Sequence, residues 1–373
     1  MFYSLPVLMY HSISRFKHRL CVAPERFEDH CRTLARAGWR GVSLREAEDF
    51  FLKKKRLPRK VCLITLDDGY LDNYVYAEPL LRRYGHKGVI FPVADMLGTE
   101  DILRSNSETL TENSTSPHKL PDLDKRKTVS NKAGFPVRPI LFCTWREIVH
   151  MHKQGSLAAA PHSLRHDRVV ENLNFKALYH PNKVRTFFDV PPHEAVWGFP
   201  CFPLTHALAG RGYILNPELF TLVKNMVPQE TKAADLFLND KKNIQAVMTA
   251  VSKLPSLGEL ESEEGYRERL VKEFISCRDV FSQKLGEPPL SFCWPWGDYN
   301  ALALEEARKV GFKIFFTTMR GANVAGHTRT AHRIAVRDGS GEDILRLVRA
   351  ASLTLAEISL PALGWLKKRF FKA

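Results

Sequence analysis

The chain has 373 residues, 44% hydrophobic and 26% charged, which is ordinary for a soluble globular protein able to bury a large core in one big domain or two. Its 55 Lys and Arg against 41 Asp and Glu give a net charge of +14, a balance that favours phosphates, anionic lipid or nucleic acid as partners. No stretch reaches the roughly 18–20 consecutive apolar residues of a membrane span.

The seven cysteines are odd in number, scattered, and free of any Cys-x-x-Cys pair; they read as reduced, mostly buried thiols of a cytosolic protein. The opening MFYSLPVLMYH lacks the basic start and cleavage site of a signal peptide and reads as a strand, so the expected location is cytoplasmic.

In chain order, residues 6–11 (PVLMYH) form a short apolar run that ends in a histidine. Residues 24–38 place Phe27, Cys31, Leu34 and Ala35 on one helical face, with Gly38 as the stop. A brief strand (41–44), a helix (45–53) and a basic connection (53–60) lead to VCLITLDDGY, residues 61–70. There a buried strand runs into adjacent carboxylates, Asp67 and Asp68, and Gly69 permits a tight turn. Acids at the carboxyl end of a buried strand lie where α/β proteins place their chemistry, and two adjacent carboxylates call for positive charge nearby, such as a divalent metal. The same pair also suits a helix N-cap beside a solvated loop acid. A helix (71–84) and another buried strand (87–93) complete a β-α-β-α-β order, which predicts parallel strands with helices outside, as a barrel or an open sheet.

Residues 99–138 are rich in Ser, Thr, Asn, Asp and Lys and read as a polar surface insertion; the Asn113-Ser114-Thr115 triplet within them is a chance glycosylation match. Thr144 is the expected N-cap of a helix ending at Gly155, followed by a small-residue strand (156–160). That strand delivers His162-Ser163-Leu164-Arg165-His166, whose imidazoles face one way if the segment is a helical turn. Two imidazoles and a carboxylate suit a divalent metal with an open position, although two unrelated surface histidines also give this spacing. Residues 170–260 read as an ordered insertion rich in aromatics and proline. Trp197 and its phenylalanine neighbours suit either a sugar platform or, preferably, a satellite core. A long helix (264–285), Phe292-Cys293-Trp294-Pro295-Trp296-Gly297, a helix (302–309) and strands at 314–318 and 332–336 follow. The tail (342–373) is read as helical to Pro361 and joins Trp365, Phe370 and Phe371 to Lys367, Lys368, Arg369 and Lys372, a composition suited either to an anionic membrane surface or to packing on the barrel.

Four of these motifs carry a resemblance. TLDDG (65–69), HSLRH (162–166) and FCWPWG (292–297) resemble signatures of the NodB-homology polysaccharide deacetylases, carbohydrate esterase family four. LMYH (8–11) is similar to the N-terminal Met-Tyr-His of their poly-N-acetylglucosamine deacetylase branch. The resemblance covers most of the chain outside 99–138 and 170–260. It implies a single catalytic domain, a deformed (β/α) barrel that removes acetyl from an N-acetyl sugar of a polysaccharide or its precursor. It also implies that Asp68, His162 and His166 hold zinc or a similar divalent metal, that Asp67 is the general base and that His11 is the general acid. The Trp296 backbone N–H would then donate to the oxyanion. No arginine precedes Phe292 where many relatives orient the base; Arg333 can take that place from a later strand. Ala158 and Asp167 also depart from the family pattern, where glutamate and proline are usual. A catalytically weak carbohydrate-binding relative is the alternative. The intact carboxylates and histidines speak for the enzyme, and no motif supports nucleic-acid binding. An anionic carrier, a lipid-diphosphate-linked or nucleotide-linked sugar at the inner face of the membrane, is the expected form of the substrate.

Overall fold

Strand β1 (Val7–Tyr10) opens the chain and is followed by helix α1 (Pro24–Arg36), β2 (Arg40–Gly41), α2 (Leu44–Phe51) and β3 (Val61–Asp68). The structure, a computed structural model, describes residues 4–52, 55–112, 129–130, 136–137, 141–180, 196–326 and 330–353. The tail aromatics and basic residues at 365–372, the Asn113 triplet and part of each insertion lie outside these residues.

The expected helix after β3 runs without a break from Leu71, with a π-helical stretch (Asn73–Ala77) leading into α3 (Glu78–Arg83). The wider turn lets Asn73 donate from Nδ2 to the His11 carbonyl at 2.8 Å, while Asp72 accepts from Ser12 and from the Ile13 N–H. Next come β4 (Gly88–Pro92), α4 (Ser107–Glu112), the pair β5 (Val129–Ser130) and β6 (Pro136–Val137), α5 (Trp145–Gln154) and β7 (Leu157–Ala159). Thr144 caps α5 through a reciprocal box with Glu147, and Gly155 ends it at φ +74°. The first part of the polar insertion is tied down: Arg104 pairs with the fully buried Glu147 at 2.6 Å and donates to the Phe142 carbonyl.

An antiparallel unit follows, with β8 (Arg168–Val170), β9 (Leu204–His206), β10 (Tyr213–Leu215), helices α6 (Pro217–Met226), α7 (Thr231–Asn239) and α8 (Lys241–Ser252), and β11 (Gly258–Leu260). Its strands order as β11-β10-β8-β9. Trp197, Phe199 and Phe202 are buried in its own apolar cluster with Leu219, Val223 and Val247, so they form a satellite core and not a sugar platform. Helix α9 (Glu263–Leu285), β12 (Ser291–Cys293), α10 (Ala301–Val310), β13 (Ile314–Phe316), β14 (Thr330–Ala331), β15 (Ile334–Ala335) and α11 (Gly341–Ser352) complete the described chain. Among the described residues no helix is long and apolar enough to cross a membrane, and all seven cysteines are free thiols.

The parallel strands form two sheets. One orders as β15-β1-β3-β4-β7, with β2 beside the start of β3; the other is β12-β13-β14. The expected last strand is broken at His332-Arg333, because there the Arg333 N–H bonds to the Met319 carbonyl instead of to a neighbouring strand. Among the described residues the ladders therefore form two sheets and do not close a barrel. At the other seam the sheets meet through the Cys293 N–H and the Pro161 carbonyl, 2.9 Å apart. Strand periodicity nevertheless builds a shared interior. Val61 and Leu63 of β3 point inward with Val7, Val89, Phe91, Cys293, Phe316 and Ala331. Cys62, Ile64 and Leu66 point outward, to α1 and the other helices. Thr65 and Asp67 continue the inward-facing row of β3.

Candidate active site

Every predicted site residue lies at the carboxyl end of a parallel strand or in the turn beyond it. His11 follows β1, Asp67 and Asp68 end β3, His162 and His166 follow β7, Trp296 follows β12, and Arg333 sits between β14 and β15. In-register pairing fixes the rim: Tyr10 lies opposite Leu66, Asp67 opposite Phe91 and Asp68 opposite Pro92.

Backbone strain concentrates here. Of the five non-glycine residues with positive φ among the described residues, Asp68, Ser163, His166 and Trp296 belong to the site, at +72°, +70°, +58° and +55°. Such conformations cost on the order of 1–3 kcal/mol each and persist where surrounding structure imposes them. The metal-motif loop is therefore not the helical turn that its i,i+4 spacing suggests. It is a double bend. The Ser163 hydroxyl accepts the His166 N–H at 2.9 Å, Pro92 O accepts the His162 N–H, and Glu273 of α9 accepts the Leu164 N–H at 2.7 Å. The two imidazoles still converge, their ring centres 5.0 Å apart.

Asp68 Oδ1 lies 3.5 Å from His162 Nε2 and 3.7 Å from His166 Nε2, and the three donor atoms are all within 4.8 Å of one another. His162 Nδ1 is 2.9 Å from the Cys293 carbonyl. A carbonyl only accepts, so Nδ1 carries hydrogen and Nε2 is the donor atom turned to Asp68. One carboxylate and two Nε2 atoms, the His162 ring backed in this way, fit a divalent cation. A second trio, Asp67, His162 and Cys293, fits less well. Asp67 is committed to Arg333, and burial raises the Cys293 thiol, which keeps its proton.

Arg333 is fully buried and reaches Asp67 Oδ1 through Nη1 at 2.6 Å. Its Nε donates to the Thr317 carbonyl at 2.8 Å and its Nη1 also approaches Thr65 Oγ1 at 3.3 Å. Asp67 Oδ2 is 3.9 Å from His11 Nε2. Burial opposes the charge on Asp67, but Arg333, His162 and His11 outweigh it and hold the carboxyl below its ordinary value. Burial likewise opposes the charge on Asp68, and His162, His11 and His166 bring that carboxyl well below the usual range. Burial also works against a charged His162, yet Cys293 and Asp68 raise it well above the ordinary histidine value. Burial and then the His162 charge push His166 down to about 3.

The Trp296 ring is packed between groups from different parts of the chain. His166 lies 3.9 Å from it, His206 stacks parallel at 4.2 Å, and the Arg168 guanidinium lies 4.9 Å above it. His206, Arg168 and Glu273 lie outside the quoted motifs and carried no sequence signal: His206 and Glu273 come from remote segments, and Arg168 stands just past the 162–166 motif without belonging to it. Cys293 belongs to the Phe292–Gly297 motif, but the service of its carbonyl to His162 could not be read there.

No protein-family model matches the chain. It is 42% identical over 94 residues to YxkH of Bacillus subtilis (strain 168), whose name places it provisionally among the polysaccharide deacetylases; the match covers 25% of this chain and 33% of that one. It is 30% identical over 76 residues to the poly-beta-1,6-N-acetyl-D-glucosamine N-deacetylase of Escherichia coli (strain K12), covering 20% of this chain and 11% of that one. The chain thus spans 33% and 11% of the lengths of these two relatives. A solved de-N-acetylase from Aggregatibacter actinomycetemcomitans superposes with a TM-score of 0.57 at 19% identity, over 92% of this chain and 99% of that one. At that identity the likeness establishes a shared fold. In local sequence and in fold, then, the chain is similar to polysaccharide deacetylases, including those of the poly-N-acetylglucosamine branch, as its motifs indicate.

Proposed function

We propose that the protein is a metal-dependent hydrolase that removes acetyl from an N-acetylated amino sugar of a glycan or its precursor. The observation that carries this reading is the buried Asp67, held by Arg333 and flanked by His11, directly beside the Asp68, His162 and His166 trio. A binding module needs the acetamido group recognised; it does not need a buried carboxylate poised beside a cation site.

Asp68, His162 and His166 would hold the ion, and the donor set suits zinc. When bound, such an ion supplies positive charge that lowers the pKa of water and polarises the acetyl carbonyl. Asp67, ionised by its neighbours, takes the proton of the attacking water as the new C–O bond forms at the acetyl carbon. The Trp296 N–H donates to the oxyanion, its direction set by the left-handed backbone at that residue. His11 gives a proton to the sugar nitrogen as the C–N bond breaks, leaving acetate and a free amine. Arg333 acts through Asp67 as a positioning residue.

The test is acetate release from N-acetylglucosamine oligomers, with appearance of the free amine as a second readout. Stoichiometric release of both supports the assignment. Binding of the oligomers with no turnover under metal-replete conditions contradicts it.

A further inference from the structure

The cleft beside Trp296 has a second wall, made by the antiparallel unit. Arg168 of β8 and His206 of β9 are register partners, and both lie on the Trp296 ring. A cavity lined by Arg165, Arg168, His206, Arg269, Glu273 and Trp296 opens there, next to the metal-motif loop. Most of its charge is engaged. Arg165 pairs with Asp167 at 3.1 Å, and Arg269 pairs with Glu261 at 2.8 Å while donating to the Ala207 and Gly210 carbonyls. Glu273 accepts from Leu164, and His206 Nδ1 is 2.5 Å from Asp298.

Arg168 differs. Among the described residues it has no carboxylate at ion-pair distance, and its buried Nε has no hydrogen-bond partner. A buried N–H without an acceptor is costly, and natural structures rarely leave one unless a ligand or water fills the place. Stacking on the indole holds the guanidinium plane while leaving its N–H edges free, which suits bidentate recognition of a planar or tetrahedral oxyanion. The Trp296 ring under Arg168 also touches the metal-motif His166, so a group held by Arg168 sits beside the reacting acetamido sugar.

We propose that this cavity is a substrate subsite for an oxyanion, a carboxylate or a phosphate carried next to the N-acetyl sugar, and that Arg168 selects it. The inference rests on the deacetylase reading for the identity of that sugar. It makes the enzyme one for acidic glycans or phosphate-linked sugars, in preference to a neutral homopolymer.

Calorimetric titration of the full chain with three probes tests it: a neutral β-1,6-linked N-acetylglucosamine trimer, a tetrasaccharide alternating glucuronate with N-acetylglucosamine, and a nucleotide-diphosphate-linked N-acetylglucosamine. One anionic probe should bind about tenfold or more tighter than the trimer, a gap that one desolvated charge-assisted contact can supply. Which of the two it is separates the carboxylate source from the phosphate source. Arg168→Gln should bring that probe to parity with the trimer. Arg168→Lys, which keeps the charge and loses the fork, should retain part of the advantage and guards against a folding defect in the first variant. Equal wild-type affinity for all three probes overturns the proposal, as does an anionic preference that survives Arg168→Gln. Failure of the deacetylase reading shows separately, as absence of acetate release from every probe, and leaves the binding comparison intact.

Discussion

Arg333 Nη1 lies 2.6 Å from Asp67 Oδ1, and both side chains are sealed from solvent. The pair spans the two sheets: Asp67 ends β3 on the inward row, and Arg333 enters where the chain breaks between β14 and β15. Replacing Arg333 by Met should destabilise the fold by about 3–5 kcal/mol, because a buried carboxylate loses its counter-charge. Asp67 is depressed in the native state, so its contribution is present above the ordinary aspartate range and is lost as pH falls through the lowered native value. In Arg333→Met the native Asp67 value should rise, so this acid-labile contribution should shrink, and the acid limb of the activity profile should move to higher pH. Denaturant titrations across acidic pH, run beside rate profiles, check both. Unchanged limbs in the variant would leave Arg333 a structural residue only.

Asp67→Asn should keep the metal content of the wild type and lose about 10²–10⁴ in turnover, the usual worth of a general base. Loss of metal together with activity would instead make Asp67 a ligand.

Gly297 holds the turn that aims the Trp296 N–H. It has φ +80°, and a Cβ there would collide with the Thr318 side chain and backbone N–H. Gly297→Ala should cost on the order of 1–3 kcal/mol of stability and lower kcat with little change in metal content. Thermal unfolding, metal analysis and kcat measured on one preparation decide whether the turn serves catalysis or only folding.

Local chemistry made part of this architecture readable. The β-branched run before Asp67, the Thr144 cap, and the ordering of motifs each rest on neighbours within a few residues. Arg333 was legible only as a substitute for an arginine that the chain lacks before Phe292. What could not be read depends on distant packing. Left-handed backbone at Asp68, Ser163 and His166 has no signature when the residue is not glycine, so the 162–166 segment reads as a helical turn. The π-helical widening at Asn73 answers to the His11 carbonyl, 62 positions away in the chain. His206 and Arg168 meet Trp296 only because the antiparallel unit folds back on the rim, and nothing in their local sequence announces it.

Metal-supported deacetylation is tested most directly by acetate release from an N-acetylglucosamine substrate before chelation, after it, and after zinc is restored, with His162→Ala treated in parallel. Activity should vanish on chelation and return with about one zinc per chain in the wild type, and the variant should neither retain metal nor recover. Full activity in the chelated wild type, or wild-type zinc affinity in His162→Ala, would contradict the ligand set and the chemistry built on it.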